Sequence, residues 1–108
     1  MVDPRVVKSI EALLAAAREQ SFPVTGAVLH GSFARGEEHE WSDIDVIALL
    51  RDDISDDELG RLRVKLGAMA WDFDTRIELM ALRESRFETD DYTPFIHFAR
   101  EEGIRIAA

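Results

Sequence analysis

Two short groups of residues, Gly31-Ser32 and Asp43-x-Asp45, have side chains and backbone suited to phosphate and metal chemistry. The residues before Gly31 have the apolar character of a buried strand, and a glycine there lets the backbone approach a ligand that a Cβ would block. Ser32 supplies a hydroxyl beside backbone N–H groups that open a short helix, a combination that favours anions. We therefore predict a phosphate-sized pocket at Gly31 and Ser32.

Asp43 and Asp45 place two carboxylates close to that pocket. Side chains alternate along a strand, so residues two apart at its start point to the same face. Two carboxylates held this close raise each other's pKa unless a cation lies between them. Oxygen ligands at this spacing suit Mg²⁺, which proteins hold with one or two carboxylates plus substrate phosphates. The combination indicates nucleotide chemistry, although the Asp43-x-Asp45 spacing alone also fits a turn followed by a capped strand end.

The elements predicted around these residues form a small α/β (α+β) domain, in which a mixed β-sheet is flanked by helices. Apolar periodicity and capping residues set the boundaries of each element. The predicted order is a helix from Pro4 to about Gln20, strands Val24–Leu29 and Ile44–Leu50, a helix from Ser55 to about Trp71, a strand Thr75–Leu82, a helix from Pro94 ended by a left-handed Gly103, and an edge strand Ile104–Ile106.

Length and charge limit the classes of function. The 108 residues fit one domain, covering residues 1–108, and the net charge of −9 argues against binding to a long nucleic acid. The sequence has no cysteine, which excludes a thiolate metal site and a disulfide framework. It also has no apolar run of membrane-spanning length, so we expect a cytoplasmic protein without a membrane partner.

The spacing of the two motifs resembles that of a known superfamily. Gly31-Ser32, ten intervening residues and Asp43-x-Asp45 resemble the GS-x10-DxD signature of the DNA polymerase β-like nucleotidyltransferases. The longer stretch GSFARGEEHEWSDIDV is most similar to the minimal nucleotidyltransferase (MNT) branch, which includes MntA-like antitoxins. The resemblance extends from about Val24 to Ile106. It implies a polymerase β-like fold and Mg²⁺-dependent nucleotidyl transfer, with two metal ions.

The resemblance also implies a third carboxylate on a neighbouring strand. Glu78 is a costly ionised group within an otherwise apolar predicted strand unless it is paired or faces a metal. By resemblance, Asp43, Asp45 and Glu78 would be catalytic and hold the metal ions, and Glu78 would help to deprotonate the attacking hydroxyl. Asp74 or Asp72 is the alternative if the strand begins earlier.

The remaining predictions concern phosphate binding and aromatic residues. Ser32, with the Gly31 backbone, would bind the β- or γ-phosphate, and Arg35 would neutralise the same triphosphate. The alternatives are that Ser32 is a helix N-cap and that Arg35 is a solvated surface side chain. Ser42 is expected to orient the loop before Asp43 by a hydrogen bond to the backbone. Trp41 either stacks on a base or anchors its loop on the core, and we predict that four other aromatic residues are core: Trp71, Phe73, Phe95 and Phe98.

The resemblance implies a specific activity. Family members of this size transfer AMP from ATP to a tyrosine of a HEPN-domain ribonuclease and act as its antitoxin. We expect the same of this chain, with ATP as substrate and a HEPN-type protein as partner. The alternatives are a catalytically silent module that binds nucleotide or pairs with a toxin, and transfer to a small hydroxyl compound such as an aminoglycoside.

Overall fold

The computed structural model describes residues 2–107, which form a four-stranded sheet and five helices that pack against it. The strand order is β3-β2-β1-β4, with β2 and β3 parallel and the other pairs antiparallel, so the predicted mixed sheet flanked by helices is confirmed. The elements are α1 (Pro4–Glu19), β1 (Val24–His30), α2 (Ser32–Arg35), β2 (Ile44–Leu50), α3 (Asp56–Phe73), β3 (Ile77–Arg83), α4 (Glu84–Thr89), α5 (Pro94–Glu102) and β4 (Ile104–Ala107).

Side-chain caps fix the beginnings of the two long helices. Asp3 precedes α1, and its Oδ1 accepts a hydrogen bond from the Arg5 backbone N–H at 2.9 Å. Ser55 precedes α3, and its Oγ accepts from the Glu58 N–H at 3.1 Å. Each bond satisfies a donor that the first helical turn leaves unpaired. Both helices therefore begin where the sequence predicts.

The sheet has a different set of helices on each face. Ile44, Val46 and Ala48 of β2 pack into the core cluster beneath α1 and α3, whereas Ile47 and Leu49 pack into the cluster beneath α4 and α5. Because strand side chains alternate, Asp45 faces the same side as Ile47, towards α5. This alternation determines which side of the sheet carries the carboxylates.

Helix α4 was not predicted, because the segment is polar and has no helical apolar stripe. Its one large apolar residue, Phe87, is 1% exposed and packs into the cluster beneath α4 and α5. The Asp52 carboxylate accepts a hydrogen bond from the Ser85 N–H at 2.9 Å and fixes the first turn from a distant loop. A long-range contact of this kind has no local sequence pattern.

The predicted left-handed conformation of Gly103 is wrong. Gly103 has φ −73° and ψ 156°, an extended backbone that leads directly into β4. A Cβ at this position would lie 2.2 Å from the Ala99 carbonyl oxygen and 2.5 Å from Val28 Cγ1. Glycine is therefore required here for space and not for its conformational freedom.

Two of the four predicted core aromatic residues are on the surface. Trp71 is 63% exposed and Phe98 is 55% exposed, so the prediction is wrong for both. Phe73 and Phe95 are partly buried and pack against the two clusters. Within residues 2–107, no helix has both the length and the apolar character needed to cross a bilayer.

Candidate active site

The turn from β1 into α2 brings backbone directly against Asp45. Gly31 has φ 73° and ψ −156°, and a Cβ placed on it would lie 2.2 Å from Asp45 Oδ2. Only glycine fits, because the positive φ and the carboxylate both exclude a side chain. The group nearest to Gly31 is thus Asp45, a predicted metal ligand, and the predicted approach of the Gly31 backbone to a phosphate stays a prediction.

Ser32 is the first residue of α2, and Gly31 occupies the N-cap position. The alternative that Ser32 is the N-cap is therefore wrong. Within residues 2–107, no hydrogen bond engages the Ser32 hydroxyl, so this donor remains available to a ligand beside Asp45.

The parallel pairing of β2 and β3 brings Asp45 and Glu78 into register. Ile44 pairs with Ile77 and Asp45 with Glu78, so the two carboxylates lie on the same face of strands about 4.8 Å apart. Asp43 directly precedes β2 and is exposed, as is Glu78, whereas Asp45 is half-buried. The prediction that Glu78 lies on the strand beside the aspartate pair is confirmed by this register.

Asp74 and Asp72 do not reach this position. Asp74 caps the end of α3, and its carboxylate accepts two hydrogen bonds from the Arg76 guanidinium, at 2.7 and 3.0 Å. Its hydrogen bonds with Arg76 lower the pKa of Asp74. Asp72 lies within α3. Of the three acidic residues considered for the third position, Glu78 is the one in register with Asp45.

The three candidate carboxylates share an electrostatic property. In the described part of the chain, no hydrogen bond or ion pair engages Asp43, Asp45 or Glu78, although many other acidic side chains are bound by arginine. Burial raises the pKa of Asp45 and the nearby Asp43 charge raises it further, while His30 and Arg35 act in the opposite direction. Burial in turn lowers the pKa of His30. Asp43 thus adds negative charge beside Asp45, and His30 and Arg35 offset part of it.

The carboxylates are not preassembled into a metal site. Among residues 2–107, no group of three or more His, Asp or Glu side chains has the arrangement that holds a metal ion.

Arg35 is paired with carboxylates. Its Nε lies 3.3 Å from Glu37 Oε2, and its Nη1 lies 3.4 Å from Glu102 Oε2 on α5. These hydrogen bonds hold the pKa of the guanidinium above its usual value. Arg35 also lines a cavity of about 340 Å³ together with His30, Gly31 and Phe98. Arg35 is thus an exposed side chain that is paired at the surface, and its predicted contact with phosphate stays a prediction.

The loop before Asp43 is held by Ser42, as predicted. Ser42 is 8% exposed, its Oγ accepts from the His39 N–H at 3.0 Å, and its own N–H donates to the His39 carbonyl at 3.0 Å. Trp41 is 82% exposed, so the idea that it anchors the loop on the core is wrong. Stacking of Trp41 on a base stays a prediction.

Sequence reasoning missed the contribution of α5 to this site. Phe95, Phe98 and Ala99 line the cavity beside Gly31, and Ile96 and Ala99 are the buried residues of the helix. The sequence contained a signal for this contribution. Phe95 and Phe98 add large apolar side chains to the pair Ile96 and Ala99, and together they are more than one buried helical stripe requires.

Comparison with known proteins supports this description of the fold. The protein in a crystal structure of a toxin–antitoxin with AMP-PNP is 21% identical, with a TM-score of 0.57, and the match covers 92% of this chain and 70% of that one. A candidate nucleotidyltransferase from Sulfolobus solfataricus is 19% identical, with a TM-score of 0.60 and coverages of 94% and 78%. A mutant of the MntA-HpeT toxin–antitoxin is 20% identical, with a TM-score of 0.52 and coverages of 88% and 69%. No curated protein sequence matches the chain.

The sequence itself identifies the family. The family model described as the nucleotidyltransferase domain matches residues 10–100, a range that includes the Gly31 turn and all three candidate carboxylates. The chain therefore belongs to the nucleotidyltransferase domain family and is a nucleotidyltransferase.

Proposed function

We propose that this nucleotidyltransferase transfers AMP from ATP to an acceptor hydroxyl in a Mg²⁺-dependent reaction, and that the acceptor is a tyrosine of a HEPN-type toxin in the cytoplasm. The chain would then be the antitoxin of the pair. The observation that carries this proposal is the register of Asp45 with Glu78, beside a glycine that lets α2 begin against Asp45. Fold likeness to toxin–antitoxin proteins, one of them in a structure with AMP-PNP, supports the choice of partner and nucleotide.

The candidate donor set suits magnesium. Asp43, Asp45 and Glu78 provide carboxylate oxygens, the ligands that Mg²⁺ prefers, and none of them is engaged by an arginine within residues 2–107. These residues would hold two Mg²⁺ ions. When bound, such ions stabilise charge on the attacking and leaving oxygens of a phosphoryl displacement.

The residues of the chain have separate tasks in this proposal. The acceptor oxygen forms a bond to the α-phosphorus of ATP, the bond from that phosphorus to the bridging oxygen of the β-phosphate breaks, and pyrophosphate leaves. Glu78 receives the proton of the acceptor hydroxyl, because it lies on the outer strand, where an acceptor can approach. The Ser32 hydroxyl donates to a triphosphate oxygen, and Gly31 leaves the space that this approach needs. Arg35 contributes positive charge from α2.

The test uses ATP labelled at its α-phosphate, Mg²⁺ and a purified HEPN-type toxin. We expect label on a toxin tyrosine with the wild-type chain and none with Asp43→Asn/Asp45→Asn. Because these side chains have no bonded partner in the described structure, the double variant should fold normally, as circular dichroism would show. Asp53→Asn/Asp57→Asn is the matched control, since it removes the same charge from exposed positions.

Four outcomes would contradict the proposal or a part of it. Undiminished labelling or undiminished Mg²⁺-dependent ATP binding in Asp43→Asn/Asp45→Asn would exclude the carboxylate assignment. ATP binding by the wild-type chain without label on the toxin would instead favour the catalytically silent module, and label on an aminoglycoside alone would favour a small-molecule acceptor.

A further inference from the structure

The outer strand β3 has unpaired backbone groups along its free edge. Among residues 2–107, β3 is the last strand of the sheet on this side. The Ile44 N–H donates to the Arg76 carbonyl, and backbone groups alternate in direction along a strand, so those of Glu78 and Met80 face β2. The groups of Leu79 and Ala81 then face outwards. Arg63 Nε of α3 covers the Ala81 carbonyl at 3.1 Å, which leaves the Leu79 N–H and C=O at the open edge.

An apolar groove follows this edge and reaches the candidate carboxylate. It has a volume of about 590 Å³, and Gly67, Ala68 and Trp71 of α3 form its wall opposite β3. Glu78 lines the same groove. A second hollow of about 380 Å³ continues along the strand past Met80 to Leu82, Arg86 and Phe95. Together, the two hollows are lined by most of the residues of β3.

The wall formed by α3 belongs to a second apolar stripe of this helix, which the core does not use and which extends one turn beyond the groove to Val64. Val64, Gly67, Ala68 and Trp71 have the spacing of one helical face, and none of them is buried. Trp71 is 63% exposed, and Met80 across the groove is 44% exposed. Exposed tryptophan and methionine beside a glycine with open space around it are typical of a surface that binds another molecule.

We propose that this groove binds an extended segment of the acceptor polypeptide, which pairs with the free edge of β3 and brings its hydroxyl side chain to Glu78. The inference rests on the proposed function and specifies how the acceptor is bound. An extended polypeptide is the occupant that supplies partners to the Leu79 N–H and C=O, whereas a helix or a small apolar molecule would cover them unpaired. The net charge of −9 favours a segment that carries lysine or arginine.

The geometry of strand addition predicts the sequence of the bound segment. Side chains of an added strand alternate between the two faces of the sheet. A tyrosine directed to the Glu78 face therefore has neighbours directed to the Trp71 face, where the wall is apolar. The acceptor tyrosine should accordingly be flanked on each side by apolar residues.

The test uses synthetic twelve-residue peptides with a central tyrosine, valine on each side of it and arginine at the outer positions. In the presence of Mg²⁺ and a non-hydrolysable ATP analogue, binding should slow hydrogen exchange of the Leu79 N–H at least tenfold. Two further sets of peptides carry methyl groups on the backbone nitrogens of either the odd or the even residues. The set methylated at the nitrogens that face β3 should fail to bind, and the other set should bind. Unchanged exchange at Leu79, or equal binding of both methylated sets, would overturn the proposal.

Two surface variants on α3 test the groove wall. Trp71→Ser should weaken peptide binding about tenfold, since an aromatic anchor is lost from the wall. Val64→Ser removes an exposed apolar side chain one turn before the groove wall, which does not line the groove, and it should change the affinity less than about twofold. Equal affinities of the two variants would contradict the groove assignment.

Failure of this inference can be distinguished from failure of the proposed function. A chain that transfers AMP to a toxin tyrosine, yet leaves the exchange of the Leu79 N–H unchanged by peptide, contradicts the groove alone. A chain that binds the peptide at β3 but transfers no AMP to peptide or toxin contradicts the proposed function alone.

Discussion

Replacing Gly31 with alanine tests the close approach on which the candidate site depends. The φ of 73° and ψ of −156° place Gly31 in a region that is essentially restricted to glycine, and a residue with a Cβ there costs about 1–3 kcal/mol. For a chain of this size, each kcal/mol lowers the melting temperature by about 4–8 °C. The strain alone therefore predicts a decrease of about 4–24 °C for Gly31→Ala.

The substitution has a second effect that strain does not explain. The new Cβ would lie 2.2 Å from Asp45 Oδ2, so either the carboxylate or the turn must move. Since Asp45 is a proposed metal ligand, we expect the affinity for Mg²⁺ and ATP to fall by at least about tenfold, as for the loss of one well-placed electrostatic interaction.

Calorimetric titration with Mg²⁺ and ATP, together with thermal unfolding, separates the two effects. Gly36→Ala is the control, because Gly36 also has a positive φ of 70° but closes the other end of α2. It should lower the melting temperature while leaving the affinity nearly unchanged. A Gly31→Ala variant with wild-type affinity would refute the reasoning, and so would an equal loss of affinity in Gly36→Ala.

Three further predictions concern stability. Burial and Asp43 raise the pKa of Asp45 in the folded chain, so ionisation of this carboxyl opposes folding above that pKa. Asp45→Asn should therefore raise the melting temperature at pH 7. The increase should shrink as the pH falls towards 4. Hydrogen bonds from Thr93 and Tyr92 lower the pKa of Asp90 to about 2. Asp90→Ala should therefore destabilise the chain above pH 4, and the difference should shrink as the pH falls through about 2. Gly60 lies exposed within α3 with open space around it, and Gly60→Ala should raise the free energy of unfolding by about 0.5–1 kcal/mol in a denaturant titration.

The parts of the fold that sequence predicts well are those determined by local chemistry. Pro4 and Ser55 begin helices because they satisfy the needs of a first helical turn, and the apolar run from Ile44 begins and ends where β2 does.

The parts that sequence did not predict depend on contacts between distant residues. Phe87 is buried because α4 folds back over the sheet, and no periodicity around it reveals this. Trp71 looked like a core residue, yet it faces outwards because it lies on the helical face of Val64 and Ala68 and not on the buried stripe of α3. The resemblance implied a third carboxylate on a neighbouring strand, and the pairing of β2 with β3 shows that Glu78 lies opposite Asp45. Arg76 binds the alternative residue, Asp74.

A crystal structure of the chain with Mg²⁺ and a non-hydrolysable ATP analogue tests the central claim most directly. We predict metal density with oxygens of Asp43, Asp45 and Glu78 at about 2.1 Å, and a triphosphate oxygen within hydrogen-bond distance of the Ser32 hydroxyl. Metal and nucleotide bound elsewhere on the chain, or a Glu78 carboxylate turned away from an occupied site, would contradict the account.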